Sequence, residues 1–299
     1  MLPFQFDHLR TLTALVDEGT FEGAARRLHV TPSAVSQRVR ALEQNAGKVL
    51  VQRTNPVRTT DAGDVVLRHA RQVVLSDEGT LAELKGDDQE AGYVALPLAV
   101  NSDSLATWFL DALAALPEDL GAVFEIHRED QEHTSSLLRT GRVMAAITSA
   151  REAVQGCSVV GLGTMRYRAV CTPEFDAQYL GGRCDPELLL GAPVVNFDRR
   201  DDLQDRLLRE LTGREGAGPR HYVPASEDFA RIVLLGLGWG VLPERQCMAE
   251  LTQGRLVEPA PDHSVDVRLY WQRWNLRSPV LDRVTDTVRA VAADHLYPL

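Results

Sequence analysis

The sequence predicts an α/β protein in two unequal parts: a short helical head, and a longer half in which strands and helices alternate. Three observations carry this. Residues 4–46 show apolar side chains three and four apart, with capping residues between the runs. From Thr60 to about Leu84 one helical period continues without a break. From Tyr93 onward, short apolar or alternating runs are separated by helical stretches, the pattern of strand–helix alternation. A length of 299 residues suggests about two domains. A composition 44% hydrophobic and 25% charged is that of packed cores, not of a disordered chain.

The head is read first. Leu9, Leu12, Leu15 and Val16 place an amphipathic helix over Phe4–Glu18, and Gly19 ends it. Thr20 can cap a second helix with Phe21, Ala24, Ala25 and Leu28 on its inner face. After the turn His29-Val30-Thr31, Thr31 can cap a third helix, and Pro32 suits its first turn because that N–H has no helical partner. Val35, Val39 and Leu42 face inward, so Ser33, Ser36, Gln37, Arg38 and Arg40 lie outside. Two short helices and a tight turn, the second helix polar on its outer face, make a helix-turn-helix. Such a helix enters the major groove, where Gln suits adenine and Arg suits guanine or phosphate. Capping alone is a competing reading for Ser33 and Ser36. Val49-Leu50-Val51 then reads as a strand, Asn55-Pro56 as a turn, and Arg53 and Arg58 as the cations of a wing lying along the DNA backbone.

Net charge taken alone points the other way. The chain carries −10, and phosphate binding needs local positive charge. The distribution removes the conflict. From Arg26 to Arg58 there are seven basic residues and one acid, Glu43, so that segment is +6 and the remainder −16. A basic segment on an acidic body is a footprint for DNA. No run of about 18 apolar residues is present, so no spanning helix is expected. Met1-Leu2-Pro3-Phe4-Gln5-Phe6-Asp7 has neither a basic start nor a long apolar run, so no signal peptide is expected and the protein is read as cytoplasmic. Cys157, Cys171, Cys184 and Cys247 are scattered, which predicts buried reduced thiols and no metal site.

The head resembles the N-terminal signature of LysR-type transcriptional regulators. The likeness is carried by Phe21-Glu22-Gly23-Ala24-Ala25-Arg26-Arg27-Leu28, by Thr31-Pro32-Ser33-Ala34-Val35-Ser36-Gln37-Arg38-Val39-Arg40-Ala41-Leu42-Glu43, and by Arg53, Arg58, Thr60, Ala62 and Gly63. Val51 stands where the family usually has Phe. Asn101-Ser102-Asp103-Ser104-Leu105-Ala106-Thr107-Trp108, Glu129-Asp130-Gln131-Glu132-His133-Thr134 and Leu269-Tyr270-Trp271-Gln272-Arg273-Trp274 resemble the ArgP/LysG branch, which controls export and metabolism of basic amino acids.

The resemblance implies a winged helix-turn-helix at 1–59, a dimerisation helix and hinge at 60–90, and an effector domain of periplasmic-binding-protein type at 91–299. It divides the last into subdomain I, about 91–164 and 267–299, and subdomain II, about 165–266. Double-stranded operator DNA, a homodimer or tetramer, and contact with RNA polymerase are the implied partners; lysine or arginine is the implied effector. The linker helix agrees with this. Ala62, Val65, Val66, Ala70, Val73, Val74, Leu81 and Leu84 form a stripe too long for the head to cover, so a second chain is its natural partner. Asp61 and Asp64 suit its N-terminus, and Lys85-Gly86-Asp87-Asp88-Gln89-Glu90 reads as the hinge.

In the second half, strands are expected at Val94–Val100, Val123–His127, Val143–Thr148, Arg168–Thr172, Pro193–Phe197, Tyr222–Pro224, Val241–Leu242 and Val265–Trp271. Ligands in such folds sit beyond strand ends, at helix N-termini. Polar clusters fall there. Asn101, Ser102 and Ser104 can hold a ligand carboxylate, while Glu129, Asp130, Asp198 and Glu227 suit cationic groups. Thr148, Asn196 and Ser226 end strands or begin a helix. Each single residue also fits a cap or a solvated charge; the set is the stronger sign. Gly236-Leu237-Gly238-Trp239-Gly240 has the wrong order for a nucleotide loop and reads as a helix end and turn. Trp271 and Trp274 read as core or interface. No catalysis and no cofactor are required. The competing functions are a regulator with another effector, a chromosome-initiation inhibitor of the same branch, and an enzyme or solute-binding protein on the same scaffold.

Overall fold

The structure, a computed structural model, describes residues 4–85, 93–128, 131–182, 185–276 and 278–299. The expected hinge at residues 86–90, and Cys184, lie outside them.

The head forms as its capping residues dictate. Helix α1 (Phe6–Glu18) ends at Gly19, whose left-handed φ of 68° lets its N–H reach the Leu15 carbonyl. Helix α2 (Phe21–Leu28) is capped by the Thr20 hydroxyl, which accepts the Gly23 N–H. Helix α3 (Pro32–Ala46) is capped by the Thr31 hydroxyl, which accepts the Ala34 N–H, with Pro32 in its first turn. Val35, Val39 and Leu42 are buried against Leu9, Leu12, Leu15, Ala24 and Ala25. The wing is a two-stranded antiparallel sheet of β1 (Val51–Gln52) and β2 (Arg58–Thr59). The strand starts later than the expected Val49–Val51, and Val49 is exposed. The reason lies in Glu43, whose carboxylate accepts the N–H groups of Leu50 and Val51 and so holds the approach to the wing in place. Gly63 allows the wing to close on the next helix, since a Cβ there would lie 1.9 Å from the Leu50 carbonyl oxygen.

Helix α4 (Asp61–Lys85) is capped by the Thr60 hydroxyl. Val66, Leu67 and Ala70 join the core of the head, whereas Val65 is exposed. Two arginines of α4 reach the second half of the chain. Arg68 donates to the Gln155 carbonyl at 3.0 Å and Arg71 to the Thr140 carbonyl at 2.8 Å. Arg71 also pairs with Asp17 of α1, which in turn takes Arg27 of α2.

The second half contains a six-stranded sheet in the order β4-β3-β5-β10-β6-β9. The strands are β3 (Val94–Val100), β4 (Ala122–Arg128), β5 (Ala145–Thr148), β6 (Cys157–Val170), β9 (Gly240–Pro243) and β10 (Ser264–Trp274). Strand β3 runs parallel to β4 and β5. Strands β6 and β10 run antiparallel over their whole length, from Ser264 opposite Arg168 to Trp274 opposite Cys157. One end of that pair joins β5 and the other joins β9. The two strands therefore carry the chain between a first lobe, containing β3, β4 and β5, and a second lobe. The second lobe also holds the parallel pair β7 (Val194–Asn196) and β8 (Arg220–Tyr222). Where the lobes meet, the register shifts between Leu269 and Tyr270, opposite Gly163 and Gly161. The expected strand Arg168–Thr172 covers only the end of a longer β6: Gly161 and Gly163 do not stop the strand but sit opposite the register shift, as a bulge.

Helices cover both lobes. In the first lobe α5 (Ser102–Ser104) continues through one π turn, Leu105–Phe109, into α6 (Leu110–Ala114). Helix α7 (Gln131–Thr140) follows β4. In the second, α8 (Pro173–Phe175), α9 (Pro186–Leu189), α10 (Leu203–Thr212), α11 (Ser226–Leu234) and α12 (Glu244–Thr252) surround β7–β9, and α13 (Pro279–His295) returns to pack on α6. Trp108, Trp239, Trp271 and Trp274 are fully buried. The Trp271 ring N–H donates to Thr285 and that of Trp274 to the Leu138 carbonyl, so both are core residues. Gly236 takes a φ of 75° just after α11, which makes the glycine run a helix end and turn. Cys157, Cys171 and Cys247 are buried. Burial pushes Cys157 up to about 11 and Cys247 up to about 12, which keeps them unreactive near neutral pH. Among the described residues, no helix is long and apolar enough to cross a membrane.

Candidate DNA-binding head and effector cleft

Helix α3 and the wing share one basic face. Ser33, Gln37 and Arg40 are exposed at helical spacing along α3, with Thr31 and Pro32 exposed at its start. Ser36 is partly buried on the flank. Arg38 turns back toward α1, donating to the Thr11 hydroxyl at 3.3 Å and lying 3.8 Å from Asp7. Arg53 lies 5.6 Å from the centre of the Phe21 ring, and Arg58 is exposed on β2. The segment's one acid, Glu43, is spent on backbone N–H groups. The exposed charge of this face is therefore cationic, as phosphate contact requires.

The second site lies between the lobes. Asp103, on the first lobe, accepts the Tyr167 hydroxyl of β6 at 2.8 Å and the Ser226 hydroxyl of the second lobe at 2.7 Å. Ser226 also shares a hydrogen bond with Gln246 of α12. Burial pushes the Asp103 carboxyl up, although both hydroxyls pull it down. Asp201 belongs to the same electrostatic neighbourhood. It is pushed up by burial and further by Asp103, against the N–H groups of Phe197 and Leu203 that it accepts. Tyr167 is raised by burial and by the Asp103 charge. Burial makes both carboxylates costly, and the Asp103 charge raises Asp201 further, so a cation at this place lowers that cost.

The residues expected from sequence take varied roles. Asn101 caps α5 with its side-chain oxygen on the Ser104 N–H. Ser102 is partly exposed, while the buried Ser104 hydroxyl has no hydrogen-bond partner among the described residues. Thr148 is buried at the end of β5 and accepts the Ala150 N–H. Asn196 is buried beneath Asp201, donating to its carbonyl and to Gln204 and accepting from Arg220. Asp198 accepts the N–H groups of Arg200 and Asp201 and so shapes the turn that presents Asp201. Ser226 is brought onto Asp103; Glu227 is exposed in the first turn of α11. Glu129 and Asp130 lie outside the described residues. Sequence reading passed over Asp103, Tyr167, Asp201 and Gln246. Asp103 lay inside the very loop singled out, between the two serines. Tyr167 sits on β6 one residue before the expected strand Arg168–Thr172.

A basic helix-turn-helix head and a polar cleft between two α/β lobes define a ligand-responsive DNA-binding regulator. The chain belongs to the LysR family: residues 6–64 match the bacterial regulatory helix-turn-helix protein, lysR family, and residues 95–293 match the LysR substrate binding domain. Within it the chain is a transcriptional regulator of LysG/ArgP type, and its relatives are regulators, not enzymes. It is 44% identical over 290 residues to the HTH-type transcriptional regulator LysG of Mycobacterium tuberculosis, covering 97% of this chain and 93% of that protein. The crystal structure of ArgP from M. tuberculosis superposes with a TM-score of 0.90 at 41% identity, covering 98% of each chain. Full-length LysG from Corynebacterium glutamicum with bound effector Arg superposes with a TM-score of 0.81 at 40% identity, covering 99% of this chain and 100% of that one.

Proposed function

We propose that the chain binds double-stranded operator DNA as a homodimer, or as a tetramer of two dimers, and that a basic amino acid in the cleft controls this binding. Arginine or lysine is the effector, no cofactor takes part, and the target is a gene of amino-acid export or metabolism. The observation that carries the reading is the Asp103 carboxylate, buried where the lobes meet with hydroxyl donors from Tyr167 and Ser226: burial makes it, like Asp201, unfavourable as an anion, and both gain from a guanidinium or ammonium group. The arginine held by LysG of C. glutamicum supports the same class of ligand.

In this reading Asp103, Asp201 and Ser226 bind the effector's cationic groups. Asn101, Ser102, Ser104 and Thr148 line the first lobe's side of the cleft; Glu227, together with Glu129 and Asp130 from the sequence reading, completes the effector-binding set. Asn196 and Asp198 support Asp201. On DNA, Ser33, Ser36, Gln37 and Arg40 face the major groove; Thr31, Pro32, Arg38, Arg53 and Arg58 meet the backbone. The division at 1–59, 60–90 and 91–299, with the two subdomains given above, is part of the proposal, as are a cytoplasmic location and contact with RNA polymerase. The ligand shifts the DNA-bound arrangement only as far as it prefers one arrangement over another.

The test is calorimetric titration with arginine, lysine and the other amino acids, followed by gel shifts on the upstream intergenic DNA. Saturable binding of arginine or lysine that alters the shift supports the reading. Binding of neutral or acidic amino acids alone would overturn it.

A further inference from the structure

The segment after α13, Leu296–Leu299, crosses the place where the lobes meet. Tyr297 and Thr164 form an antiparallel bridge with both backbone hydrogen bonds, at 2.7 and 3.0 Å. Thr164 directly follows the bulge at Gly161 and Gly163. Those glycines admit the segment: a Cβ on Gly161 would lie 2.2 Å from Leu299, and one on Gly163 2.8 Å from the Tyr297 carbonyl oxygen. The chain leading into the segment, α13, packs on the first lobe. The Tyr297 side chain reaches the second. Its ring lies 4.2 Å under the Arg166 guanidinium, and its hydroxyl donates to Glu244, the first residue of α12, at 2.7 Å. Glu244 is itself fixed by Arg168 at 2.6 Å.

We propose that Leu296–Leu299 is a strap that holds one angle between the lobes, and that Tyr297 is a positioning residue for effector binding. The proposal rests on the cleft being the effector site. The strap comes from one lobe, pairs at the crossover and places the Tyr297 side chain on the other, so any change of the angle alters the Tyr297–Glu244 distance. A hydrogen bond tolerates only a few tenths of an ångström. The Asp103–Ser226 contact spans the cleft at the same angle. The strap and that contact thus select one arrangement, and the affinity of a ligand for that arrangement scales with its population.

The test combines Tyr297→Phe with hydrogen exchange and calorimetry on the full-length protein. Phe keeps the ring under Arg166 and removes only the hydroxyl. Loss of amide protection around Gly161–Thr164 together with an arginine or lysine Kd raised roughly three- to tenfold, the cost of one net hydrogen bond, supports the strap. Glu244→Gln and the double variant complete a cycle, in which the double should cost no more than the larger single. Unchanged protection, or lost protection with an unchanged Kd, would overturn the proposal. If the wild type binds neither amino acid, the cleft reading fails, while the exchange data on Tyr297→Phe still decide whether the segment holds the crossover.

Discussion

The Ser226 hydroxyl donates to the Asp103 carboxylate at 2.7 Å, so one short contact links the two lobes across the cleft. Asp103 also takes Tyr167, which leaves a carboxylate with two neutral donors and no cation. Asp103→Asn preserves the shape and removes the charge. Its expected effect is a loss of about 1.5–3 kcal/mol in arginine or lysine affinity, the range for hydrogen bonds to charged groups. Operator binding without effector should be unchanged, and calorimetry with parallel gel shifts measures both.

The pH dependence follows from the direction of the shifts. Burial raises the carboxyls of Asp103 and Asp201, so the free cleft holds protons more tightly than ordinary aspartates do. A bound cation favours the ionised form and expels them. Effector affinity should therefore fall as pH drops through the raised Asp103 range, and binding should release protons. Titrations in buffers of different ionisation enthalpy measure the release. The same groups disfavour folding above their raised values and less so below them, so their cost to stability shrinks as pH falls.

On DNA, exposed and anchored side chains should separate. Gln37→Ala should cost about 1–3 kcal/mol on the specific operator and nothing on random DNA, because it removes a base contact. Arg58→Ala should weaken both alike and lower the salt slope by about one. Arg38→Ala should affect binding less than Arg40→Ala, since Arg38 is engaged with Thr11 and Asp7. Fluorescence anisotropy across a salt series tests all four.

The junction of head and effector half should show in stability. Arg71 is nearly buried between Asp17 and the Thr140 carbonyl. Arg71→Met leaves the Thr140 carbonyl without its donor and Asp17 with Arg27 alone, and should lower unfolding free energy by about 1–3 kcal/mol, read from urea midpoints. Arg71→Lys should recover part of this, because an ammonium lacks the planar fork that serves both partners.

The head was legible almost residue by residue. Gly19, Thr20, Thr31 and Pro32 act locally, through caps whose partners lie within four residues, and such geometry is written in adjacent letters. The cleft was legible only as a region. Ser226 and Asp103 are 123 residues apart, and nothing in either neighbourhood announces the other. Asn196 and Asp198 were singled out for their place after a strand, and that place was real. Their side chains, however, are spent on building the turn under Asp201. Asp201 itself was hidden in the charged run Asp198-Arg199-Arg200-Asp201-Asp202. Strand β6 is longer than the expected Arg168–Thr172, and its glycines serve the bulge where its register with β10 shifts.

Arg68 and Arg71 dock the linker helix on Gln155 and Thr140, both in the lobe that carries β3–β5. That lobe and the head form one stator. The other lobe hangs from β6 and β10 as the rotor, with the register slip at Leu269 and Tyr270 as its bearing. In the proposed reading, a change of the angle between the lobes leaves the docked linker helix where it is and turns the second lobe against it. A ligand would then be announced on the face that turns, not on the one that is anchored.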